Sequence, residues 1–238
     1  MGGRTGIILQ ARIASSRLPR KALEPVGGRT LLEQCLRRLI ASDVGPVVLA
    51  TTDRPEDAAL ETLASRIGVP VFRGDTDDVL NRFVRCADTF GFDRVVRATG
   101  DNPAVDMRAP ARLLAALRDD VDYVREEGIP YGAGVEAVTT GTLRRAARLA
   151  QDPFDREHVT PFIYRRPGFF RVVVLQAPPP LYRPDVRVTV DTRDDLQHVR
   201  ELWFRAGLDQ PQLTDLISAA DHALAVSRFS RTSGSGAA

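Results

Sequence analysis

Two hydrophobic periods alternate along this chain, and that alternation restricts its fold more than any other property. Short apolar runs of strand character, Gly6 to Leu9, Pro46 to Ala50, Val69 to Phe72 and Arg94 to Ala98, punctuate its first half. Apolar residues at helical spacing follow the first three. They are Leu32, Cys35, Leu36, Leu39 and Ile40; then Leu60, Leu63, Ala64 and Ile67 with Gly68 as the stop; then Val79, Leu80, Phe83, Val84 and Ala87 within Asp77 to Phe90. Strands that return through helices lie parallel, with helices covering both faces of the sheet. Beyond Leu117 the rhythm changes. Val121 to Val124, Val135 to Val138, Phe170 to Leu175 and Val186 to Val190 read as strands. Helices are expected from Thr142 to Ala150, from Asp155 to Arg165, around Leu196 to Ala206 and from Asp209 to about Val226. The reading is a three-layer α/β sandwich with a mixed, mainly parallel sheet, forming one domain over residues 1–226. Residues 227–238 are expected to be a disordered tail.

The chain has 238 residues, of which 43% are apolar, enough for one large core. A net charge of +2 with 27% charged residues gives no bulk reason to expect a nucleic-acid or membrane partner. The first residues carry no signal-peptide core, and no apolar run approaches the roughly 20 residues of a membrane span. Cys35 and Cys86 fall on apolar helix faces without metal-ligand spacing. Two buried free thiols fit a reducing compartment, so a soluble cytoplasmic protein is expected.

Among 33 basic residues there is a single lysine, Lys21. A chain this biased toward arginine retains a lysine either by chance or where a compact ammonium is needed. Lys21 lies in the stretch Gln10 to Leu23, QARIASSRLPRKAL, between the first strand and a helix announced by the Thr30-x-x-Glu33 capping pattern. Ser15 and Ser16 offer hydroxyls, Arg12, Arg17 and Arg20 offer guanidinium forks, and Lys21 offers a point charge. Such a loop suits a polyphosphate, although it lacks the Walker pattern.

Ligands of open α/β sheets sit beyond the carboxyl ends of the strands. Asp101 follows the fourth strand and Asp191 follows Val186 to Val190, so both could converge with Lys21. Two aspartates facing a phosphate loop suit Mg²⁺, which is commonly held by one or two carboxylates together with substrate phosphates and water. Each has a structural alternative. Asp101 in Gly-Asp-Asn-Pro fits a turn, and Asp191 could serve the next helix, although Thr192 with Asp195 already supplies a capping pair there.

Six ordered motifs then carry a resemblance. QARIASSRLPRKAL, VVLATTD at Val47 to Asp53, VFRGDTDDVLNRF at Val71 to Phe83, RATGDNPAVD at Arg97 to Asp106, DREHVTPFIYRRP at Asp155 to Pro167 and VTVDTRDDL at Val188 to Leu196 resemble the spore-coat polysaccharide type cytidylyltransferases. These are relatives of the enzymes that make CMP-activated acylneuraminate and 3-deoxy-manno-octulosonate, and the resemblance runs to about Ala225.

The resemblance implies a nucleotide-diphosphosugar transferase fold, GT-A-like and Rossmann-like. Residues 1–120 would form a nucleotide-binding half and 121–226 an acceptor-binding and dimerisation half. The implied reaction joins CMP from CTP to an acidic sugar or another hydroxyl-bearing acceptor and releases pyrophosphate. Arg12, Ser15, Arg17 and Lys21 would hold the triphosphate, with Gln10, Ala11, Ser16, Arg73 and Gly100 also at the nucleotide. Asp101 and Asp191 would hold Mg²⁺, and Thr51, Thr52 and Asp53 would meet the base. Tyr131, Glu136, Arg156 and His158, with Arg82, would meet the acceptor, Arg156 through its carboxylate. His158 could equally be a core or interface residue, and Arg165 and Arg166 read as surface charge. Many members have glycine where Ala14 and Arg20 stand in this chain. Two other readings stay open: a nucleotidyltransferase using another nucleotide or a phosphonate acceptor, and a non-catalytic nucleotide-binding protein.

Overall fold

The computed structural model describes residues 3–233, with side chains as far as residue 223. Strand β1 (Thr5–Gln10) leads through a long loop and a small ribbon, β2 (Pro25–Val26) and β3 (Arg29–Thr30), into helix α1 (Leu31–Ala41). Then come β4 (Val47–Thr52), α2 (Ala58–Arg66), β5 (Val71–Gly74), α3 (Val79–Phe90), β6 (Arg94–Thr99) and α4 (Ala109–Ala116). The second half comprises β7 (Tyr123–Glu127), β8 (Glu136–Thr139), α5 (Thr140–Leu149), α6 (Pro153–His158), α7 (Pro161–Tyr164), β9 (Val172–Gln176), α8 (Arg193–Ala206) and α9 (Leu213–Ser233).

One seven-stranded sheet runs in the order β5-β4-β1-β6-β8-β7-β9. Strands β5, β4, β1 and β6 are parallel neighbours; β8 is antiparallel to both β6 and β7, and β7 and β9 are again parallel. The change of rhythm beyond Leu117 is therefore the change from parallel to mixed pairing. Alternate residues of β1 feed opposite cores. Ile7 and Leu9 pack with Leu32, Leu36 and Leu39 of α1, whereas Ile8 packs with Leu80 and Phe83 of α3. Thr30 caps α1 by accepting from the Glu33 amide at 3.2 Å, but the Glu33 carboxylate turns to Arg37 at 2.8 Å, so only half of the expected box forms.

Four further sequence expectations change. Val186 to Val190 is not a strand of the sheet: among the described residues its one ladder contact is a bridge from Arg187 to Tyr131. Its alternating valines instead enter a third core with Leu196, Leu202 and Trp203 of α8 and Leu216 of α9. Alternation reports a half-buried extended segment, and this one is buried by helices. The helix expected over Asp155 to Arg165 breaks into α6 and α7 at Val159, whose φ of 72° is left-handed, and Pro161 opens the second piece. Ile40 is 44% exposed and lies outside the core that its neighbours on α1 enter. Finally, the α9 backbone continues to Ser233, through part of the stretch expected to be disordered. A helix nucleated on the buried turns from Leu213 to Ala220 propagates cheaply into a serine-rich end. The rest of that stretch, 234–238, lies outside the described residues.

Cys35 and Cys86 are both fully buried. Burial pushes the Cys86 thiol up to about 12 and that of Cys35 further in the same direction. Alkylation by iodoacetamide at pH 8 is thus expected to be at least about 100-fold slower in the native protein than in urea; comparable rates would contradict this burial. No described helix is long and apolar enough to cross a membrane.

Candidate active site

The loop leaving β1 is held open by a buried carboxylate at the start of the next βα unit. Asp57, 1% exposed, accepts from the Ile13 amide at 2.7 Å, from the Thr51 hydroxyl at 3.1 Å, from the Thr52 amide at 3.2 Å and from the Thr52 hydroxyl. Leu18 and Ala22 anchor the far side of the loop by burial. Between them Arg20 takes a left-handed conformation, φ 60°, which favours glycine. The side chain costs about 1–2 kcal/mol of backbone strain there. Replacing Asp57 with Ala strands two buried amides. The expected loss is about 3 kcal/mol, a fall of about 6–12 °C in a melting curve for a chain of this size.

The turn places Lys21 at the centre of the site. Its ammonium, on a residue 8% exposed, lies 2.8 Å from Asp101 Oδ1 and 3.2 Å from Asp191 Oδ1 and donates to the Val190 carbonyl at 2.9 Å. The two aspartates meet because the Val186 to Val190 segment is stitched to the loop after β6: the Val190 amide donates to the Asp101 carbonyl at 2.8 Å. Asp195 completes the α8 capping box with Thr192 and also accepts from the Asp191 amide at 3.0 Å, so the Asp191 carboxylate is not consumed by the helix. That carboxylate also meets Arg17 at 3.0 Å and Arg187 at 3.3 Å.

A cleft of about 520 Å³ opens beside this cluster, beyond the carboxyl ends of β1 and β6. Gln10, Ala11, Arg12, Ser15, Ser16, Arg17 and Lys21 line one side. Asp101, Asp191, Tyr131, Arg82 and His158 line the others. The cleft gathers five cationic side chains, the fifth being Arg97, against three carboxylates, the third being Glu157, so its balance favours an anion. His158 is exposed at the cleft, its ring 4.3 Å from that of Phe154, and is not a core residue. Arg82 is 2% exposed, while Arg85 faces solvent.

Other expected residues are not brought to the cleft. Thr51 and Thr52 are fully buried and bound to Asp57, and Asp53 lies beyond them at the surface. Arg73 is committed to the Thr52 and Arg54 carbonyls and to Glu61. Gly100 acts by being small: a Cβ there would stand 2.8 Å from that of Ala11 and prevent the β1 and β6 loops from closing. Arg156 binds the Ala147 and Ala150 carbonyls and Asp78. Glu136 lines a neighbouring cavity, and its carboxylate accepts from Arg97, Tyr123 and Thr160. Arg165 and Arg166 pair with the buried Asp155.

Sequence reasoning overlooked Arg97 as a site residue, and also Asp57. Arg97 stands in a strand whose neighbours Val95, Val96 and Ala98 are buried. A charge in such a run requires a partner or a ligand, and that was the available signal.

A cation-rich loop facing two aspartates at the carboxyl edge of a mostly parallel sheet suits a nucleotidyltransferase. Comparison with known proteins carries this further. A family model described as cytidylyltransferase matches residues 6–220, and the chain belongs to that family. It is 35% identical over 207 residues to the spore coat polysaccharide biosynthesis protein SpsF of Bacillus subtilis, covering 84% of this chain and 86% of that protein. It is 28% identical over 221 residues to a 3-deoxy-manno-octulosonate cytidylyltransferase of a Chelativorans species, covering 82% and 83%. A solved cytidylyltransferase structure from Leptospira borgpetersenii serovar Hardjo-bovis superposes with a TM-score of 0.87 at 27% identity, over 94% of this chain and 97% of that one. The protein is accordingly a cytidylyltransferase, an enzyme that transfers CMP from CTP.

Proposed function

We propose that this enzyme transfers CMP from CTP to an acidic sugar, releasing pyrophosphate, with Mg²⁺ bound by Asp101 and Asp191, and that it supplies a polysaccharide pathway from the cytoplasm. The observation that carries the reading is the meeting of Lys21, Asp101 and Asp191 at the mouth of a cation-rich cleft. The sugar assignment is supported by the relatives, one a polysaccharide biosynthesis protein and one acting on 3-deoxy-manno-octulosonate.

The donor set fits the metal. Among the described residues no group of three or more acidic, His or Cys side chains forms a metal cage. A pair of carboxylates suits a cation that arrives with a polyphosphate and completes its shell from phosphate and water. Bound there, Mg²⁺ would neutralise phosphate charge as the bond to pyrophosphate breaks. The protein's own part is positioning and charge. Arg12, Arg17 and Lys21 bind the triphosphate and stabilise the leaving pyrophosphate, while the Ser15 and Ser16 hydroxyls donate to its oxygens. Gln10 Oε1 and Arg82 Nε, buried atoms of cleft-lining residues, have no partner among the described residues, a need that the nucleotide would meet. The acceptor hydroxyl attacks the α-phosphorus, and its proton leaves to solvent or to a phosphate oxygen.

The enzyme works as a homodimer through its second half, supported by the exposed apolar residues Phe169, Val174 and Tyr164 in and beside the edge strand β9; light scattering giving a monomer mass would refute this.

Thermal unfolding with CTP, UTP, GTP and ATP, each with and without Mg²⁺, tests the nucleotide assignment. At 100 times its dissociation constant CTP adds about 2.7 kcal/mol, a rise of about 5–10 °C in the melting temperature. The largest rise is expected with CTP and Mg²⁺ together. No rise with any nucleotide would favour a non-catalytic protein, and a larger rise with another base would overturn the CTP assignment.

A further inference from the structure

Beside the nucleotide cleft lies a second cavity of about 300 Å³, and the two share Arg97, Thr99, Asn102, Tyr131 and Gly132 as a common wall. No residue of the phosphate-suited loop lines the second cavity. Its distinguishing feature is a row of charges laid across three strands. In the sheet register Glu136 of β8 stands opposite Arg97 of β6 on one side and Arg125 of β7 on the other. The three side chains therefore share one face of the sheet as neighbours, in the order Arg, Glu, Arg.

The row is not self-neutralising. Glu136 spends its carboxylate on Arg97 at 2.5 Å, on the Tyr123 hydroxyl and on Thr160 at 2.9 Å. Among the described residues, Arg125 has one carboxylate partner, Glu127 at 2.5 Å, which does not line the cavity. The other carboxylate lining this cavity, Glu126, is held by Arg112 at 2.8 and 2.9 Å and has nothing left for the row. Both Arg97 Nε and Arg125 Nε are buried with no partner among the described residues. A buried guanidinium N–H without an acceptor is costly unless a ligand supplies one. Both side chains line the cavity, so two guanidinium groups with unmet donors stand together beside the nucleotide cleft and mark a place for an oxyanion.

We infer that the second cavity is the acceptor subsite and that Arg97 and Arg125 bind the acceptor's carboxylate, with Glu136 as the positioning residue that fixes Arg97. This rests on reading the neighbouring cleft as the CTP site. A carboxylate is the matching anion because its two coplanar oxygens suit the edge of a guanidinium. The row also replaces Arg156, whose donors are spent on Asp78 and two carbonyls. Gly132 lets the two compartments touch. Its φ is +97°, and a Cβ there would stand 2.5 Å from the Thr189 amide, forcing the shared wall apart.

Arginine Nε–H resonances of the CTP-loaded, metal-free protein provide the test, with Arg125→Gln and the milder Arg97→Lys giving the assignments. Glycolate, 3-deoxy-manno-octulosonate, methylphosphonate and glucose serve as probes. The two carboxylates are expected to shift the Arg97 and Arg125 signals and glucose to leave them in place. Affinity for the carboxylates should fall about tenfold or more in Arg125→Gln, while CTP raises the melting temperature of that variant as it does for the wild type. Unchanged carboxylate affinity in Arg125→Gln, unresponsive signals, or a preference for methylphosphonate would overturn the assignment. Failure of CTP to stabilise the wild type would instead strike the reading of the cleft itself.

Discussion

Asp101→Asn and Asp191→Asn are each expected to lower turnover by about 10³-fold or more while the protein stays folded. Each replacement preserves shape but removes one of the two carboxylates that face Lys21. Charge aimed at a phosphoryl centre in a partly closed site is worth several kcal/mol in the transition state. The side chain of Asp101 is 42% exposed and its loss should leave stability nearly unchanged. That of Asp191 is 16% exposed and touches Lys21, Arg17 and Arg187, so a modest fall in melting temperature accompanies the loss of activity. Equal affinity of wild type and both variants for Mn²⁺ in the presence of CTP would remove these residues from the metal. Wild-type turnover in either variant would remove it from the reaction.

Lys21→Arg is the second large effect, expected to reduce kcat about 100-fold. The substitution keeps the charge, so electrostatics alone predicts little change. The ammonium instead makes three short contacts within a nearly buried niche, to Asp101, Asp191 and the Val190 carbonyl. A planar guanidinium cannot reproduce that set, and its extra bulk would push the two aspartates apart. An unaffected rate would show that the chain's one lysine is retained for no chemical reason. Lys21→Met gives the complementary measurement, because it removes the charge without adding volume.

The parallel half of the fold was legible because its strands and helices alternate with little interruption, and β1, β4, β5, β6, α1, α2 and α3 fall close to where the pattern puts them. Val186 to Val190 misled because period-two alternation does not say what covers the buried face; here α8 and α9 cover it. The break at Val159 was signalled by Pro161, yet apolar spacing continued across it. At the site, the Lys21 cluster was legible from residue type and position at loop ends. Thr51, Thr52, Arg73 and Arg156 are absent from the cleft lining for a shared reason: polar side chains near a site are claimed by local structural partners, and those partners emerge only in three dimensions. The Arg97–Glu136–Arg125 row was hidden because it depends on register across three strands whose order in the sheet, β6-β8-β7, differs from their order in the chain.

The central claim is tested most directly by ³¹P NMR of the enzyme with CTP, Mg²⁺ and a panel of acidic sugars that includes 3-deoxy-manno-octulosonate. The account predicts that with at least one of them the α-phosphorus signal moves from the triphosphate to a CMP diester as an equal amount of pyrophosphate appears. Cleavage of CTP between its β and γ phosphates, or intact CTP with every acidic sugar while a neutral acceptor reacts, would contradict it.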